Sequence, residues 1–202
     1  MRDPLGRLFP NLPREIRVVL DWIFTIAGAI LIVLALKAWV VNPYRIPSSS
    51  MEPTLHCARP STGCEAHFSD RVLANRFIYR FRDPKRGEII VFKTPGTKPV
   101  CGTDHAGEVF VKRLIGLPGE HISERDGYIY INNVLLKEPY IQAARRDQEP
   151  PREWIVPKGE YFFMGDNRSQ SCDSRVWGPV PRKNIIGEVF FVYWPPNRIG
   201  FR

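Results

Sequence analysis

EVFVKRLIGL, residues 108–117, reads as a strand. Valine, phenylalanine and isoleucine dominate it, and these residue types fit a pleated surface better than a helix. Alternation puts Phe110, Lys112 and Leu114 on one face, and Val109, Val111, Arg113 and Ile115 on the other. Both faces are mostly apolar, so the strand is expected to lie in an interior. Outward from it come similar runs: RVLANRFIYRF at 71–81, GEIIVFK at 87–93, YIYINNVLL at 128–136, EYFFMG at 160–165 and GEVFFVYWP at 187–195. Gly, Pro, Asp and Asn bound them, which is the pattern of strands and turns. Asp126-Gly127 marks a hairpin turn. No long stretch after Pro43 keeps a helical repeat. The fold class expected for residues 42–202 is therefore mainly β, built as an antiparallel sheet. Residues 56–70, 94–107 and 142–158 read as loops or insertions.

Before this region the pattern differs. VVLDWIFTIAGAILIVLALKAWVV, residues 18–41, has no charge between Trp22 and Leu36. As a helix it would span ~36 Å, enough for a ~30 Å hydrocarbon core. Asp21 and Lys37 sit near its ends, and Trp22 and Trp39 stand where interfacial aromatics belong. A cleaved signal peptide shares the basic start and apolar centre, but this stretch is longer and no clean small-x-small site follows it. The expectation is one retained transmembrane helix at 18–41. Residues 1–17 hold four arginines against Asp3 and Glu15, which predicts a cytoplasmic N-terminus and an extracytoplasmic domain at 42–202.

Composition excludes other classes. Hydrophobic residues are 44% and charged residues 25%, ordinary for a folded chain. Nineteen prolines and fifteen glycines argue against a helical bundle. Four cysteines are too few for a disulfide-dense scaffold. The net charge of +8 suggests an anionic partner, either nucleic acid or a membrane surface. Divided along the chain, most of it belongs to a β domain tethered near headgroups, where a basic balance is expected. No nucleic-acid motif is present, and no nucleic-acid partner is expected.

Three segments carry candidate chemistry. IPSSSMEPTL, Ile46–Leu55, sets three serines between two prolines in a rigid loop directly after the apolar stretch. Lys112 lies between Phe110 and Leu114, where burial would disfavour the ammonium and make the amine a base. GDNRSQSCDSRVWGPV, residues 165–180, is a polar loop after the apolar run YFFM, with Asp173 and Arg175 placed to form an ion pair. Each alone is unspecific: a Ser-Pro loop, a strand-edge lysine reaching solvent and a solvated turn read equally well.

Together they resemble type I signal peptidases, membrane-anchored serine proteases that use a Ser-Lys dyad. PSSSMEPTL is similar to that family's nucleophile box, VKRLIGLPGE to its lysine box, GDNRSQSCDSR to its last box and RVLANRFIYRF to the strand box between them. The resemblance runs from about residue 18 to residue 196. It implies a nucleophile at Ser50 and a general base at Lys112. It further implies an oxyanion contact from Ser48, a lysine-orienting hydroxyl at Ser171 and a supporting pair at Asp173 and Arg175. Ile46, Pro47, Met51, Leu55 and Val111 match positions lining shallow pockets for small side chains before the cut. The implied substrates are signal peptides of secreted preproteins, presented at the membrane lipid near an export translocon. No cofactor and no metal are implied. Departures are Ser49, where glycine is frequent, Cys172 beside Ser171, and the insertion at 56–70. His56, His67, His105 and His121 read as loop and surface residues.

Ser50 lies nine residues past Val41, within ~30 Å even if extended, so the nucleophile is expected to stay near a membrane surface. Cys57, Cys64, Cys101 and Cys172 allow three pairings. Cys57–Cys64 closes a short loop, and the expected partner pair is Cys101–Cys172. Zinc at Cys57, Cys64 and His67 is the rival, with a spacing that fits no common motif well. Competing functions are a specialised Ser-Lys maturation peptidase, a self-cleaving regulator and a non-catalytic membrane-anchored scaffold. The regulator would need a DNA-binding domain, for which residues 1–17 leave no room. The scaffold would have no reason to keep all three catalytic positions. Plasma membrane is the expected location.

Overall fold

The computed structural model describes residues 13–39, 41–95 and 108–202. Two compact units result, Met1–Val41 and Asn42–Arg202. In the first, one helix, α1, runs Arg14–Trp39. Its first turn closes on Pro13, whose carbonyl accepts from the Arg17 N–H at 3.1 Å. A proline tolerates this position because the N–H it lacks would be unpaired there anyway. Glu15–Ala35 is long and apolar enough to cross a membrane. Ile16, Trp22, Phe24, Leu31 and Val33 are all exposed, so apolar side chains occur around the whole helix rather than along one stripe. The helix starts earlier than the expected Val18, and the residues before Pro13 lie outside the described ones.

The second unit is mainly antiparallel β. Its strands are β1 Val41–Arg45, β2 Arg71–Asn75, β3 Ile89–Lys93, β4 Val109–Gly116, β5 His121–Arg125, β6 Tyr128–Ile131, β7 Val134–Leu135, β8 Arg152–Ile155, β9 Glu160–Met164, β10 Val180–Pro181, β11 Ile185–Trp194 and β12 Gly200–Phe201. A large sheet has the order β1-β2-β11-β3-β4-β9-β10, with β12 on β11. A small sheet has the order β7-β6-β5-β8.

Continuous apolar runs appear because the large sheet is buried on both faces. Along β3, Ile89 and Val91 pack with Ile46, Met51, Leu55, Val72 and Val189. The alternate residues Ile90 and Phe92 pack with Tyr79, Leu114 and Phe163. The Phe92 and Phe163 rings stack at 4.2 Å between centroids. A third cluster joins the sheets: Ile115, Phe162 and Met164 meet Ile122, Ile129 and Ile131. Each fully buried side chain of this size contributes about 1.5–3 kcal/mol.

Three boundaries differ from the sequence reading. The run 71–81 is strand only to Asn75, whose Oδ1 accepts from the N–H groups of Phe77 (2.9 Å) and Ile78 (3.1 Å). That side chain substitutes for the ladder and turns the chain into a short 3-10 helix, Ile78–Arg80. The run 128–136 is two strands, because Asn132 and Asn133 adopt φ of 50° and 67° and form a second hairpin turn. Asp126 and Gly127, at φ of 50° and 73°, make the expected one between β5 and β6. Residues 142–158 are not all loop: β8 lies within them, paired with β5. Its sequence REWI alternates charged and apolar residues too briefly to stand out. Of the expected loop 94–107, residues 96–107 lie outside the described ones, as does His105.

Arg168 and Glu138 form a fully buried ion pair, with Nη1 to Oε2 at 3.1 Å and a second bond from Nη2 to Oε1. Arg168 Nε also donates to the Gly165 carbonyl at 3.0 Å. Removing one partner would leave a charge buried without compensation. Glu138→Ala is expected to cost about 3–5 kcal/mol, read from urea unfolding in detergent. A loss below ~1 kcal/mol, the range of an exposed pair, would show that the pair is not desolvated.

Candidate active site

Ser50 lies in a three-residue 3-10 helix, Ser49–Met51, that follows β1 through the rigid Ile46-Pro47 segment. The N–H groups that begin such a turn have no acceptor within it. Ser48 Oγ stands 3.3 Å from Ser50 Oγ. The carbonyls of this turn are held from across the fold. Asn167 donates its backbone N–H to Ser50 O and its Nδ2 to Ser49 O, each at 3.1 Å. Gly165 leaves room for this approach: a Cβ there would come within 3.0 Å of both Ser50 O and Ser171 Oγ.

Lys112 sits on β4 where the strand is flanked unequally. On one side β3 pairs with it from Val109 to Arg113. On the other, β9 pairs only from Arg113 to Gly116, which leaves Val109–Lys112 as an open edge among the described residues. Ser50 and Lys112 line one cavity of about 320 Å³, together with Ile46, Pro47, Ser48 and Met51 from one wall. Val111 and Phe110 on the β4 edge and Gln170 and Cys172 from the polar loop complete much of the rest. Lys112 is 1% exposed. Burial lowers its amine to about 8, opposed by the Asp173 carboxylate and helped by the Arg175 guanidinium. Its Nζ lies 5.8 Å from the Phe110 ring centre.

Asp173 is fully buried and opens a short helix, α2, Ser174–Trp177. Its carboxylate accepts from Arg175 N (3.2 Å), Arg175 Nε and Nη2 (both 2.9 Å), and Gly165 N (3.1 Å). Burial works against its ionisation. The Arg175 bonds and charge, the Lys112 charge and the Gly165 N–H outweigh this and hold its pKa below the ordinary value. The sequence-derived pair is therefore one link of a wider network. Arg175 Nη1 also bonds Asp147 Oδ2 at 2.5 Å and approaches Glu124 at 3.5 Å, and Nη2 bonds the Arg168 carbonyl at 2.7 Å.

Other sequence-derived residues fall differently. Ser171 Oγ is buried and has no hydrogen-bond partner among the described residues. Leu55 is fully buried in the apolar cluster with Ile46 and Met51 rather than lining the cavity. Cys57 and Cys64 form a disulfide, and with both sulfurs bonded they do not form a zinc site with His67. Cys172 is disulfide-bonded, and Cys101 lies outside the described residues. His56 pairs with the buried Glu52, and His121 with Glu153 at 3.2 Å.

Sequence reasoning missed Asn167, Gly165, Asp147 and Glu124. It also missed Arg113, whose Nε and Nη2 grip Asp166 at 2.8 and 2.6 Å while Thr54 Oγ1 bonds the same carboxylate at 2.5 Å. The one available signal was an arginine and two acids inside apolar or turn-rich stretches, which a single sequence does not separate from surface charge.

Comparison with known proteins matches residues 19–194 to the family described as "Signal peptidase, peptidase S26". A probable signal peptidase I-2 of Synechocystis is 38% identical over 87% of this chain and 73% of its own length. A signal peptidase I of Leptolyngbya laminosa is 37% identical over 93% of this chain and 86% of its own. A thylakoidal processing peptidase 1 of Arabidopsis thaliana is 34% identical over 85% of this chain, which spans 47% of that longer protein.

The Lys112 amine is expected to titrate with a midpoint of about 8. That midpoint lies below the ordinary lysine value of ~10.4 and can be read by NMR of isotopically labelled lysine side chains in micelles. Asp173→Asn removes the charge that favours the ammonium, so the midpoint should fall further. A Lys112 signal titrating near ~10.4 would overturn its burial.

Proposed function

The chain belongs to the signal peptidase family, peptidase S26, and is a serine endopeptidase; on that premise we propose that it removes signal peptides after small residues at A-x-A-like sites, with Ser50 as nucleophile and Lys112 as general base. The observation that carries this reading is that Ser50 and a buried Lys112, lowered to about 8, line one cavity.

The precursor segment adds as a strand along the open β4 edge, with backbone bonds for affinity and pockets for selectivity. Small residues at the first and third positions before the cut enter the wall formed by Ile46, Pro47, Met51 and Val111. Neutral Lys112 takes the proton from Ser50 Oγ as that oxygen attacks the scissile carbonyl. The Ser50 N–H and the Ser48 hydroxyl bond the developing oxyanion; one such donor is worth about 3–4 kcal/mol. The proton passes from Lys112 to the leaving amine, which becomes the new N-terminus of the released protein. Lys112 then takes a proton from water, whose oxygen attacks the acyl-enzyme and frees Ser50. Ser171, Asp173 and Arg175 act on the surroundings of the lysine. The Asp173–Arg175 pair fixes Gly165, and through it the space in which the Ser50 turn sits.

The apolar helix Glu15–Ala35 anchors the enzyme in the membrane. The N-terminus lies in the cytoplasm and residues 42–202 outside it. There they meet the signal peptides of preproteins leaving an export translocon at the lipid surface.

The base must be neutral, so kcat/KM should rise with pH and level off above about 8, the value to which burial lowers Lys112. An A-x-A precursor in detergent should be cut by the wild type, while Ser50→Ala and Lys112→Ala lose turnover by several orders of magnitude. Wild-type turnover in Lys112→Ala would remove the dyad; absence of cleavage by the wild type would remove the substrate assignment.

A further inference from the structure

We propose that Asn167 is a positioning residue of the reaction: its backbone and side-chain donors set the direction of the Ser50 N–H and of Ser50 Oγ. This rests on the cleavage reading above and assigns the group that holds the nucleophile turn in its working geometry.

Asn167 is buried, and it donates its N–H to Ser50 O and its Nδ2 to Ser49 O, each at 3.1 Å. These carbonyls belong to the two peptide planes on either side of the Ser50 Cα. The Ser49–Ser50 peptide bond is trans. In a planar trans peptide the C=O and the N–H point in opposite directions. Nδ2 holds the Ser49 carbonyl, so it orients the Ser50 N–H at the other end of the same plane and turns it away from Asn167. The Asn167 N–H holds the second plane. With both planes fixed, φ and ψ of Ser50 are fixed, and so is the direction in which its Cβ carries Oγ.

The sequence explains why an outside donor is needed. In a 3-10 turn each carbonyl accepts from the N–H three residues on. Ser49 O finds Glu52 N–H at 3.0 Å. Ser50 O would need residue 53, which is Pro53 and has no N–H. The Asn167 N–H takes that place.

Asn167 is itself fixed relative to the base. Asp166 before it accepts from Arg113 Nε and Nη2 at 2.8 and 2.6 Å, and Arg113 adjoins Lys112 on β4. Arg168 after it belongs to the buried pair with Glu138. The second Nδ2 hydrogen goes to Gln170 Oε1 at 3.3 Å. A flipped amide would set Oδ1 against the Ser49 carbonyl oxygen, so the donor end must face the turn. Lys112 and Ser50 are thus joined through Arg113, Asp166 and Asn167.

The test compares the wild type, Asn167→Ala and Asn167→Asp as full chains in detergent. An A-x-A precursor reads turnover, and a peptide aldehyde of the same sequence reads transition-state binding. Ser50 Oγ bonds the aldehyde carbon, its proton passes to Lys112, and the C=O electron pair moves onto an oxygen that the Ser50 N–H must meet. Asn167→Ala should lower kcat by about tenfold to a hundredfold, the range of a misplaced donor, and weaken the aldehyde by a similar factor. KM, and the affinity of uncut peptide in a Ser50→Ala background, should change by less than about twofold, because the lost interaction acts in the transition state. The pH profile should still level off above about 8, since the burial and the Asp173, Arg175 and Asp166 charges that set the Lys112 amine are untouched. Asn167→Asp keeps the shape and loses the donor. Each variant taken at its own pH plateau, it should be no better than Asn167→Ala; a packing role alone would rank it near the wild type. Near-wild-type kcat in either variant overturns the proposal. So does a loss of aldehyde affinity matched by an equal loss of uncut-peptide affinity. A wild type that neither cuts the precursor nor binds the aldehyde instead counts against the parent reading.

Discussion

Taking an ammonium out of water costs several kcal/mol in real proteins, even after relaxation. Burial lowers Lys112 to about 8, which brings the neutral amine within reach at ordinary pH. The rest of the site can be understood as the surroundings this one buried group requires. Asp173 alone would hold the lysine charged. Arg175 bonds that carboxylate through Nε and Nη2 and offsets its field, so burial decides the outcome. The same pair caps α2 and holds the Gly165 N–H. Electrostatic tuning and positioning of the Ser50 turn are thus done by one pair of side chains.

That pair depends in turn on the small sheet. Asp147 follows the small sheet's β7 and precedes β8, and Glu124 comes from β5; both reach Arg175. Arg152 of β8 bonds both acids, at 2.6 and 3.2 Å. The apolar cluster of Ile115, Phe162 and Met164 with Ile122, Ile129 and Ile131 fixes the small sheet against the large one. It therefore fixes where these acids stand. Packing some distance from the cavity supports the charge balance at its centre, because buried ion pairs tolerate little displacement.

The large sheet contributes an unfilled place. β9 ends its pairing with β4 at Arg113, the residue next to Lys112. Among the described residues, Val109–Lys112 is therefore left without a partner on that side, and Lys112 sits where the open edge begins. Arg113 marks the boundary. Its bonds to Asp166 and to the Gly87 carbonyl, at 2.7 Å for the latter, pin the end of the closed ladder.

The antiparallel β class, the apolar helix and the segments carrying Ser50 and Lys112 were legible in the sequence. Each rests on local composition or on the order of short motifs. β8 and the hairpin turn at Asn132-Asn133 were not, because two-to-four-residue strands carry too few alternations to register. Ile46, Pro47, Ser48, Met51 and Val111 share the cavity with Ser50 and Lys112, but Leu55 turns into the core; a strand-and-turn reading cannot assign which side of a loop a side chain takes. Arg113 and Lys112 are adjacent basic residues in one strand, and nothing local distinguishes them. Alternation sends them to opposite faces. Only the tertiary fold gives Arg113 the Asp166 carboxylate as an ion-pair partner and leaves Lys112 buried with no hydrogen bond among the described residues. Sequence determined which residue types were available and their period. The fold decided which of the two basic groups is paired and which is shifted toward neutrality, because that choice depends on groups more than 50 positions away along the chain.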